Sequence, residues 1–199
     1  MYKSKNVLIT GASSGLGKQL AFSYANKGAR IINISRNVEK GKLLTFQLDT
    51  INNQENKFYS ADVSKYDEIL KIKNKLVEKE IYPDIIINNA AGNFLCPFKK
   101  LSKNGWTRVI DIVLNGSFNI YHIFGNELIE RKKKAIFLNI STIYSENSSA
   151  LVIPSACAKA GVDNMMKGLT TEWSKYGMRF VGIAPGPIAD SGGASKLDP

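Results

Sequence analysis

Residues 5–22 read KNVLITGASSGLGKQLAF and join a short apolar run, a glycine-rich loop and the first turns of a helical pattern. The run Val7–Thr10 has the length and composition of a buried β-strand. Gly11, Gly15 and Gly17 follow it, and glycine lets the backbone approach a ligand that a Cβ would exclude. A strand that enters a helix through such a turn directs free backbone N–H groups and the positive helix end at one point. The stretch therefore predicts a phosphate-binding βα turn, with a tight turn that binds nothing as the alternative.

Apolar runs alternate with helical patterns along the whole chain. Strands are predicted at Val7–Thr10, Arg30–Ser35, Lys57–Ser60, Ile85–Asn88, Ala135–Ile140 and Arg179–Ala184. Helices are predicted at Gly15–Asn26, Val38–Thr50, Lys65–Glu80, Ser102–Leu114 continuing through Arg131, and Ser155–Tyr176. This alternation is typical of right-handed βαβ crossovers and predicts an α/β, Rossmann-type doubly wound parallel sheet with helices on both faces. One such domain accounts for residues 1–199, and its ligands are expected beyond the carboxyl ends of the strands.

Composition narrows the classes of partner. The 199 residues carry a formal net charge of +10, yet the basic residues are scattered, with Lys132–Lys134 as the only run. No nucleic-acid recognition motif accompanies this charge, so nucleic-acid binding is not expected. A diffuse positive field suits polyanionic small molecules such as a nucleotide cofactor or coenzyme A. The His, Cys and carboxylate residues lack metal-ligand spacing, and no metal is expected.

The sequence also predicts a cytoplasmic protein without a membrane segment. No apolar run approaches the roughly 20 residues of a membrane span. Met1 is followed almost at once by the first predicted strand, which leaves no room for a signal or transit peptide. Cys96 and Cys157 do not suggest a disulfide framework, as is usual in a reducing cytoplasm.

The end of the second predicted strand bears on the choice of nucleotide. A carboxylate there would bind the adenosine ribose and favour NAD, but the sequence has Ser35-Arg36. The guanidinium of Arg36 is a planar cationic fork suited to a 2′-phosphate, so NADPH is the predicted cofactor. The alternative is that Arg36 is an ordinary surface residue at a strand end.

Three further strand ends supply candidate cofactor contacts. Asp62-Val63 follows the third strand, where a carboxylate can accept a hydrogen bond from the adenine amino group; the alternative is a helix N-cap, which Ser64 could also provide. The small residues within Asn88–Phe94 would let the chain pass close under a flat ligand. Pro185-Gly186-Pro187-Ile188 is a rigid turn that could border the nicotinamide.

Four motifs together resemble a short-chain dehydrogenase/reductase. They are Thr10-Gly11-x-x-x-Gly15-x-Gly17, Asn88-Asn89-Ala90-Ala91-Gly92, Lys159 and Pro185-Gly186. Most members of that superfamily carry a catalytic Tyr four residues before the Lys, and this sequence has Ser155 there. A Ser at that position resembles the 2,4-dienoyl-CoA reductase branch. Further segments match that branch: Asp111–Gly116, Thr142–Tyr144, Ser155–Val162 and Lys175–Phe180.

The resemblance implies an enzyme that uses NADPH to reduce 2,4-dienoyl-CoA thioesters to enoyl-CoA in the oxidation of unsaturated fatty acids. It implies that Tyr144 is the relocated phenol donor, that Asn93 is an amide donor to the thioester oxygen, and that Lys159 binds the nicotinamide ribose. Ser155 would join their hydrogen-bond network, and Asn115 would steady the Lys. The alternative for Tyr144 is a packed loop tyrosine, and for Asn115 a helix kink.

The remaining site residues follow from the same resemblance. Phe94, Ser102 and Lys196 would contact the acyl-CoA. The cofactor would contact Gly11, Ser13, Ser14, Gly15, Leu16, Gly17, Arg36, Asp62, Val63, Asn89, Ala90, Ala91, Lys159, Pro185, Gly186, Pro187 and Ile188.

The resemblance also concerns assembly and extent. It implies a homo-oligomer, tetramer or dimer, formed through the two long predicted helices. Members of that superfamily usually continue with another helix and an edge strand, so residues 1–199 are expected to be a C-terminally incomplete domain, which would leave the last predicted strand at an apolar edge. A fragment of a longer chain and a partner that covers this edge are the alternatives. Two other functions fit the same motifs: a short-chain reductase acting on a ketone or another enoyl thioester, and a catalytically inactive NADP-binding scaffold.

Overall fold

The computed structural model describes residues 2–186 and residue 188. Its sheet consists of β1 (Asn6–Thr10), β2 (Arg30–Ser35), β3 (Lys57–Ser60), β4 (Ile85–Asn88), β5 (Ala135–Ile140) and β6 (Met178–Ile183). All pairings are parallel, in the order β3-β2-β1-β4-β5-β6. The strand order reverses between β1 and β4, so the carboxyl ends of these two strands border the crevice where such sheets bind ligands. The predicted doubly wound sheet is confirmed.

The helices cover both faces of this sheet. They are α1 (Gly15–Asn26), α2 (Val38–Asn52), α3 (Tyr66–Val77), α4 (Lys103–Ile110), α5 (Gly116–Glu130), α6 (Tyr144–Asn147) and α7 (Ile153–Trp173). A π-helical turn at Asp111–Asn115 joins α4 to α5, and 3-10 turns lie at Phe98–Lys100 and Ser174–Tyr176. None of the helices in residues 2–186 is long and apolar enough to cross a membrane.

Two apolar clusters hold the layers together, one on each face of the sheet. Leu8 and Ile86 point into the cluster built with α3, α5 and α7, whereas Ile9 and Ile87 point into the cluster built with α1 and α2. All four side chains are fully buried, and each contributes about 1.5–3 kcal/mol on burial. Because β1 and β4 are covered on both faces, they read in the sequence as continuous apolar runs.

The structure differs from the predicted elements at helix ends. Helix α3 ends at Val77 because Glu80 adopts a φ of 54° and the Ile81 N–H donates to the Leu76 carbonyl, which turns the chain back. The helix predicted through Arg131 is interrupted by the π turn, and the short helix α6 was not predicted.

Strand β6 forms one edge of the sheet over the described residues, where it pairs with β5. Its side chains Val181 and Ile183 are 40% and 49% exposed. The expected apolar edge is therefore present in this part of the chain.

Candidate active site

The ends of β1 and β4 are tied together at the point where the strand order reverses. The hydroxyl of Thr10 accepts hydrogen bonds from the backbone N–H groups of Asn89 and Ala90, at 3.0 and 2.9 Å. In return the Asn89 side-chain amide donates to the Thr10 carbonyl at 2.9 Å. Thr10 is fully buried, so these bonds fix the β4 loop against the glycine-rich loop.

The glycine-rich loop leaves a cradle at the start of α1. Gly11 has a φ of 69°, a left-handed conformation that glycine adopts without strain. A Cβ on Gly17 would lie 2.6 Å from the Gly11 carbonyl oxygen, so this close approach requires glycine. Ser14 caps α1 without a side-chain hydrogen bond, which leaves the first-turn N–H groups of α1 directed at the cradle. This geometry fits a nucleotide phosphate.

The end of β2 also fits a nucleotide. The hydroxyl of Ser35 is buried without a hydrogen-bond partner in the described residues, and the exposed Arg36 follows it. The Arg36 carbonyl accepts a bond from the Ser60 hydroxyl at 3.2 Å, which joins the ends of β2 and β3. An exposed guanidinium at the end of β2 suits an anionic group such as a 2′-phosphate.

Asp62 is held as a carboxylate by its neighbours. Its Oδ1 accepts from the Ser64 N–H and hydroxyl at 3.0 and 2.7 Å, and Arg108 Nη2 lies 3.7 Å from its Oδ2. Burial raises the pKa of Asp62, but the Ser64 hydrogen bonds and the charges of Arg36 and Arg108 outweigh burial and lower it. The N-cap of α3 is Lys65, so the N-cap alternative for Asp62 or Ser64 is wrong.

Val63 has a packing role. It is buried, it contacts the position where Gly116 begins α5, and its carbonyl accepts from the Asn119 side chain at 2.8 Å.

Three of the expected catalytic residues lie on the segments that follow β5. Tyr144 is the first residue of α6, and Ser155 lies in the first turn of α7, and both are half-buried. Lys159 follows one turn later with 5% of its surface exposed, and its ammonium donates to the Ile140 carbonyl. Burial lowers the pKa of Lys159 to about 8, against the opposing effect of the Asp163 carboxylate.

A polar network that the sequence did not predict joins α7, one turn after Lys159, to the ends of β5 and β4. Asp163 accepts from Ser141 Oγ at 2.6 Å and from Asn139 Nδ2 at 3.2 Å. Asn88 Nδ2 donates to Asn139 Oδ1 at 3.3 Å and to Ser117 Oγ at 2.6 Å. The spacing of Asp163 four residues after Lys159 was the available signal, since residues i and i+4 share a helix face.

The β4 loop carries the other expected substrate contacts. Asn93 Oδ1 accepts from the N–H of Phe94, and the Phe94 side chain packs against the core. The N–H of Cys96 donates to the Leu151 carbonyl at 2.9 Å, which ties the loop to the connection between α6 and α7. The loop that bears Asn93 is thus fastened to the segment that links Tyr144 with Lys159.

Two expected site residues have local structural roles. Ser102 caps α4, since its hydroxyl accepts from the Gly105 N–H at 3.0 Å. Asn115 is exposed in the π turn and donates to Asp111 Oδ1 at 2.8 Å. The structure therefore pairs Asn115 with Asp111.

The remaining expected cofactor residues lie on three loops. Ser13 and Leu16 are half-buried in the glycine-rich loop, and Ala91 is exposed after β4. Pro185, Gly186 and Ile188 follow β6, whereas Pro187 and Lys196 lie outside the described residues. No group of three or more His, Cys, Asp or Glu side chains in the described chain could hold a metal ion.

Comparison with known proteins establishes the family of this chain. A family model described as short chain dehydrogenase matches residues 5–198. The chain belongs to the short-chain dehydrogenase/reductase superfamily, an oxidoreductase family, and within it to the 2,4-dienoyl-CoA reductase branch.

Individual relatives define that branch. The chain is 39% identical over 208 residues to a Bacillus subtilis (strain 168) protein named probable 2,4-dienoyl-CoA reductase [(2E)-enoyl-CoA-producing], covering 98% of this chain and 77% of that protein. It is 35% identical over 198 residues to a Caenorhabditis elegans protein named probable 2,4-dienoyl-CoA reductase decr-1.2 [(3E)-enoyl-CoA-producing], covering 99% of this chain. The chain spans 64% of the length of that C. elegans protein.

A solved structure shows the same fold. A short chain dehydrogenase from Bacillus anthracis str. 'Ames Ancestor' superposes with a TM-score of 0.91 at 42% sequence identity. The match covers 96% of this chain and 77% of that one.

Proposed function

We propose that the intact protein is an NADPH-dependent reductase of 2,4-dienoyl-CoA thioesters that acts in the oxidation of unsaturated fatty acids. One observation carries the proposal: Ser155 stands one turn before the buried Lys159, and Tyr144 lies on the adjoining segment after β5. The lysine of a short-chain reductase is thus kept while its usual tyrosine is replaced. Relatives named 2,4-dienoyl-CoA reductase support the same interpretation.

NADPH, when bound, would supply a hydride to the δ carbon of the dienoyl group. Gly11–Gly17, Arg36, Asp62, Asn89–Ala91 and Lys159 are the residues that would hold it. The fit rests on the glycine cradle and on the exposed guanidinium of Arg36 at the end of β2.

The protein groups would act on the charge that develops on the thioester oxygen. The side-chain oxygen of Asn93, Oδ1, already accepts a hydrogen bond from the Phe94 N–H. The side-chain NH₂ of Asn93 is therefore the group left to donate to the thioester oxygen. The Tyr144 phenol would donate a second hydrogen bond. Donors placed where charge develops usually lower the barrier more than any other catalytic effect, and removal of one donor costs about 10²–10³-fold in kcat.

Lys159 would hold the nicotinamide ribose and supply positive charge to the site. With a pKa of about 8, its ammonium remains mostly protonated at neutral pH. A positive charge favours the negative charge that develops on the substrate in the transition state. One proton added to carbon then balances the hydride and leaves an enoyl-CoA with one double bond.

The proposal is tested by NADPH oxidation with a 2,4-dienoyl-CoA, in the wild type and in Tyr144→Phe. The exposed Tyr176→Phe is the matched control, because Tyr176 lies in the 3-10 turn after α7. Turnover should fall by about 10²-fold or more in Tyr144→Phe, with NADPH affinity and the Tyr176→Phe rate unchanged. Simple ketones or mono-unsaturated enoyl thioesters that react faster than the dienoyl-CoA would indicate another short-chain reductase. NADPH binding without turnover on any acyl-CoA would indicate an inactive scaffold.

Two further properties belong to this proposal. The protein would act in the cytoplasm, and it would assemble as a homo-oligomer, tetramer or dimer, through the helices α4–α5 and α7.

A further inference from the structure

Both oxygens of the Asp163 carboxylate accept hydrogen bonds from residues at the end of β5. Asp163 lies on α7, one helical turn after Lys159. Its Oδ2 accepts from the Ser141 hydroxyl at 2.6 Å, and its Oδ1 accepts from the Asn139 amide at 3.2 Å. Asp163 therefore fastens the helix that carries Lys159 to the strand end that Lys159 also contacts.

These partners are themselves fixed by buried groups. Asn139 is fully buried, and its carbonyl oxygen accepts from Asn88 Nδ2, which also donates to Ser117 Oγ. The network thus spans α5, β4, β5 and α7. A hydrogen-bonded network of this kind, with Asn88, Ser117 and Asn139 buried, favours one arrangement of its members.

The network also reaches the segment that bears Tyr144. Ser141 Oγ lies 3.4 Å from the hydroxyl of Ser145, the residue after Tyr144, and Ser145 donates to the Thr142 carbonyl at 2.9 Å. The Asp163 carboxylate therefore lies between the helix of Lys159 and the turn of Tyr144.

We infer that Asp163 is the positioning residue of this site: its bonds to Ser141 and Asn139, one helical turn after Lys159, hold Lys159 in register with the turn of Tyr144. The inference rests on the proposed function. A buried ammonium needs an anionic partner or it loses its proton, and Asp163 provides the charge that favours the protonated form of Lys159.

The other titratable groups on the elements packed against α7 do not supply this charge. Burial keeps the phenol of Tyr121, on α5, neutral by raising its pKa. The only carboxylate of α6, Glu146, is exposed to solvent. Asp111 of the π turn accepts from the Asn115 amide, which directs its Oδ1 toward Asn115.

The test compares variants of Asp163 by two readouts. Asp163→Asn keeps the shape and removes the charge, whereas Asp163→Glu keeps the charge. Ser141→Ala removes one bond to the carboxylate and keeps its charge. Glu172→Gln removes an exposed charge from the same helix and serves as the control.

The first readout is the titration of Lys159 by NMR of its ¹³C-labelled ε carbon, assigned as the resonance that Lys159→Met lacks. The pKa of Lys159 should fall by about one unit or more in Asp163→Asn. It should stay close to the wild-type value in Asp163→Glu, Ser141→Ala and Glu172→Gln. Should Asp163→Asn not fold, Asp163→Ser, which keeps a hydroxyl acceptor for Ser141, carries the same comparison.

The second readout is the pH profile of kcat/KM with a 2,4-dienoyl-CoA. The alkaline limb should move to lower pH in Asp163→Asn by the same amount as the Lys159 titration, and Asp163→Glu should restore it. An equal loss of rate at every pH, with the Lys159 titration unmoved, would overturn the inference and leave Asp163 a packing residue. A Lys159 titration that moves in a protein without dienoyl-CoA turnover would support the role of Asp163 and refute the proposed reaction.

Discussion

Thr10 and Asn89 bond each other in both directions across the switch point of the sheet. The Thr10 hydroxyl accepts the Asn89 N–H at 3.0 Å, and the Asn89 side chain donates to the Thr10 carbonyl at 2.9 Å. Because the Thr10 hydroxyl also accepts from the Ala90 N–H, one side chain sets the separation of the glycine-rich loop and the β4 loop. The binding of a flat ligand between those two loops would depend on that separation.

Thr10→Val tests this relationship with a side chain of nearly the same shape. The substitution leaves the N–H groups of Asn89 and Ala90 without their acceptor, and each unpaired buried group costs about 1–3 kcal/mol. We expect a lower free energy of unfolding by urea denaturation and weaker NADPH binding by fluorescence titration. Thr10→Ser, which keeps the hydroxyl, should retain most of the wild-type stability and most of the NADPH affinity. Equal behaviour of the two variants would show that the hydroxyl is not the group that matters.

Arg36→Asp tests the choice of nucleotide. A carboxylate at the end of β2 would repel a 2′-phosphate and could bind a ribose hydroxyl instead. Since a hydrogen bond to a charged group is worth about 1.5–3 kcal/mol, the Kd for NADPH should rise by about 10–100-fold, with little change for NADH. Equal losses for the two nucleotides would refute a role in 2′-phosphate binding.

The central strands could be predicted from the sequence because burial on both faces leaves an unambiguous pattern. Ile85–Asn88 is such a case, since its residues are all buried and its bounds are as predicted. The glycine-rich loop was equally clear, because its three glycines follow a strand pattern and precede a helix pattern. Both features leave a signal in consecutive residues, although the β4 loop also crowds Gly11 and Gly17.

Other features depend on contacts that no local pattern specifies. The π turn at Asp111–Asn115 changes the register of a helix whose composition remains helical throughout. The bonds of Asp163 to Ser141 and Asn139 join residues 22 and 24 positions apart, and they exist only because α7 packs on the end of β5. The sequence shows that Asp163 and Lys159 share a helix face, but not what lies opposite them.

Ser102→Ala separates a helix cap from a substrate contact. Ser102 caps α4 through the Gly105 N–H, and loss of such a cap costs about 1 kcal/mol. We expect that loss in urea denaturation, together with a higher KM for the acyl-CoA and an unchanged NADPH Kd. Ser102→Asn restores a cap. If it also restored the KM, the effect on substrate would be due to the position of α4 and not to contact with Ser102.

Lys159→Met tests the burial of the ammonium through stability. The pKa of Lys159 is about 8 in the folded protein, against the ordinary lysine value of 10.5 that applies to the unfolded chain. Between pH 8 and pH 10.5 the unfolded chain binds more protons at Lys159 than the folded protein does. The free energy of unfolding therefore rises with pH in this range, by at most about 1.4 kcal/mol per pH unit from this one group. Below pH 8 both states are protonated, and the buried charge destabilises the fold. Lys159→Met removes that cost, so its stability relative to the wild type should be greatest below pH 8 and should decline toward pH 10.5.

Urea denaturation across this pH range measures the difference between the two proteins, which cancels the titration of groups that they share. Lys167→Met is the matched control, since Lys167 is exposed on the same helix. Its stability should run parallel to the wild type over the whole range. A Lys159→Met curve that also ran parallel to the wild type would mean that the ammonium titrates alike in the folded and unfolded states. Lys159 would then not hold a depressed pKa in the folded protein.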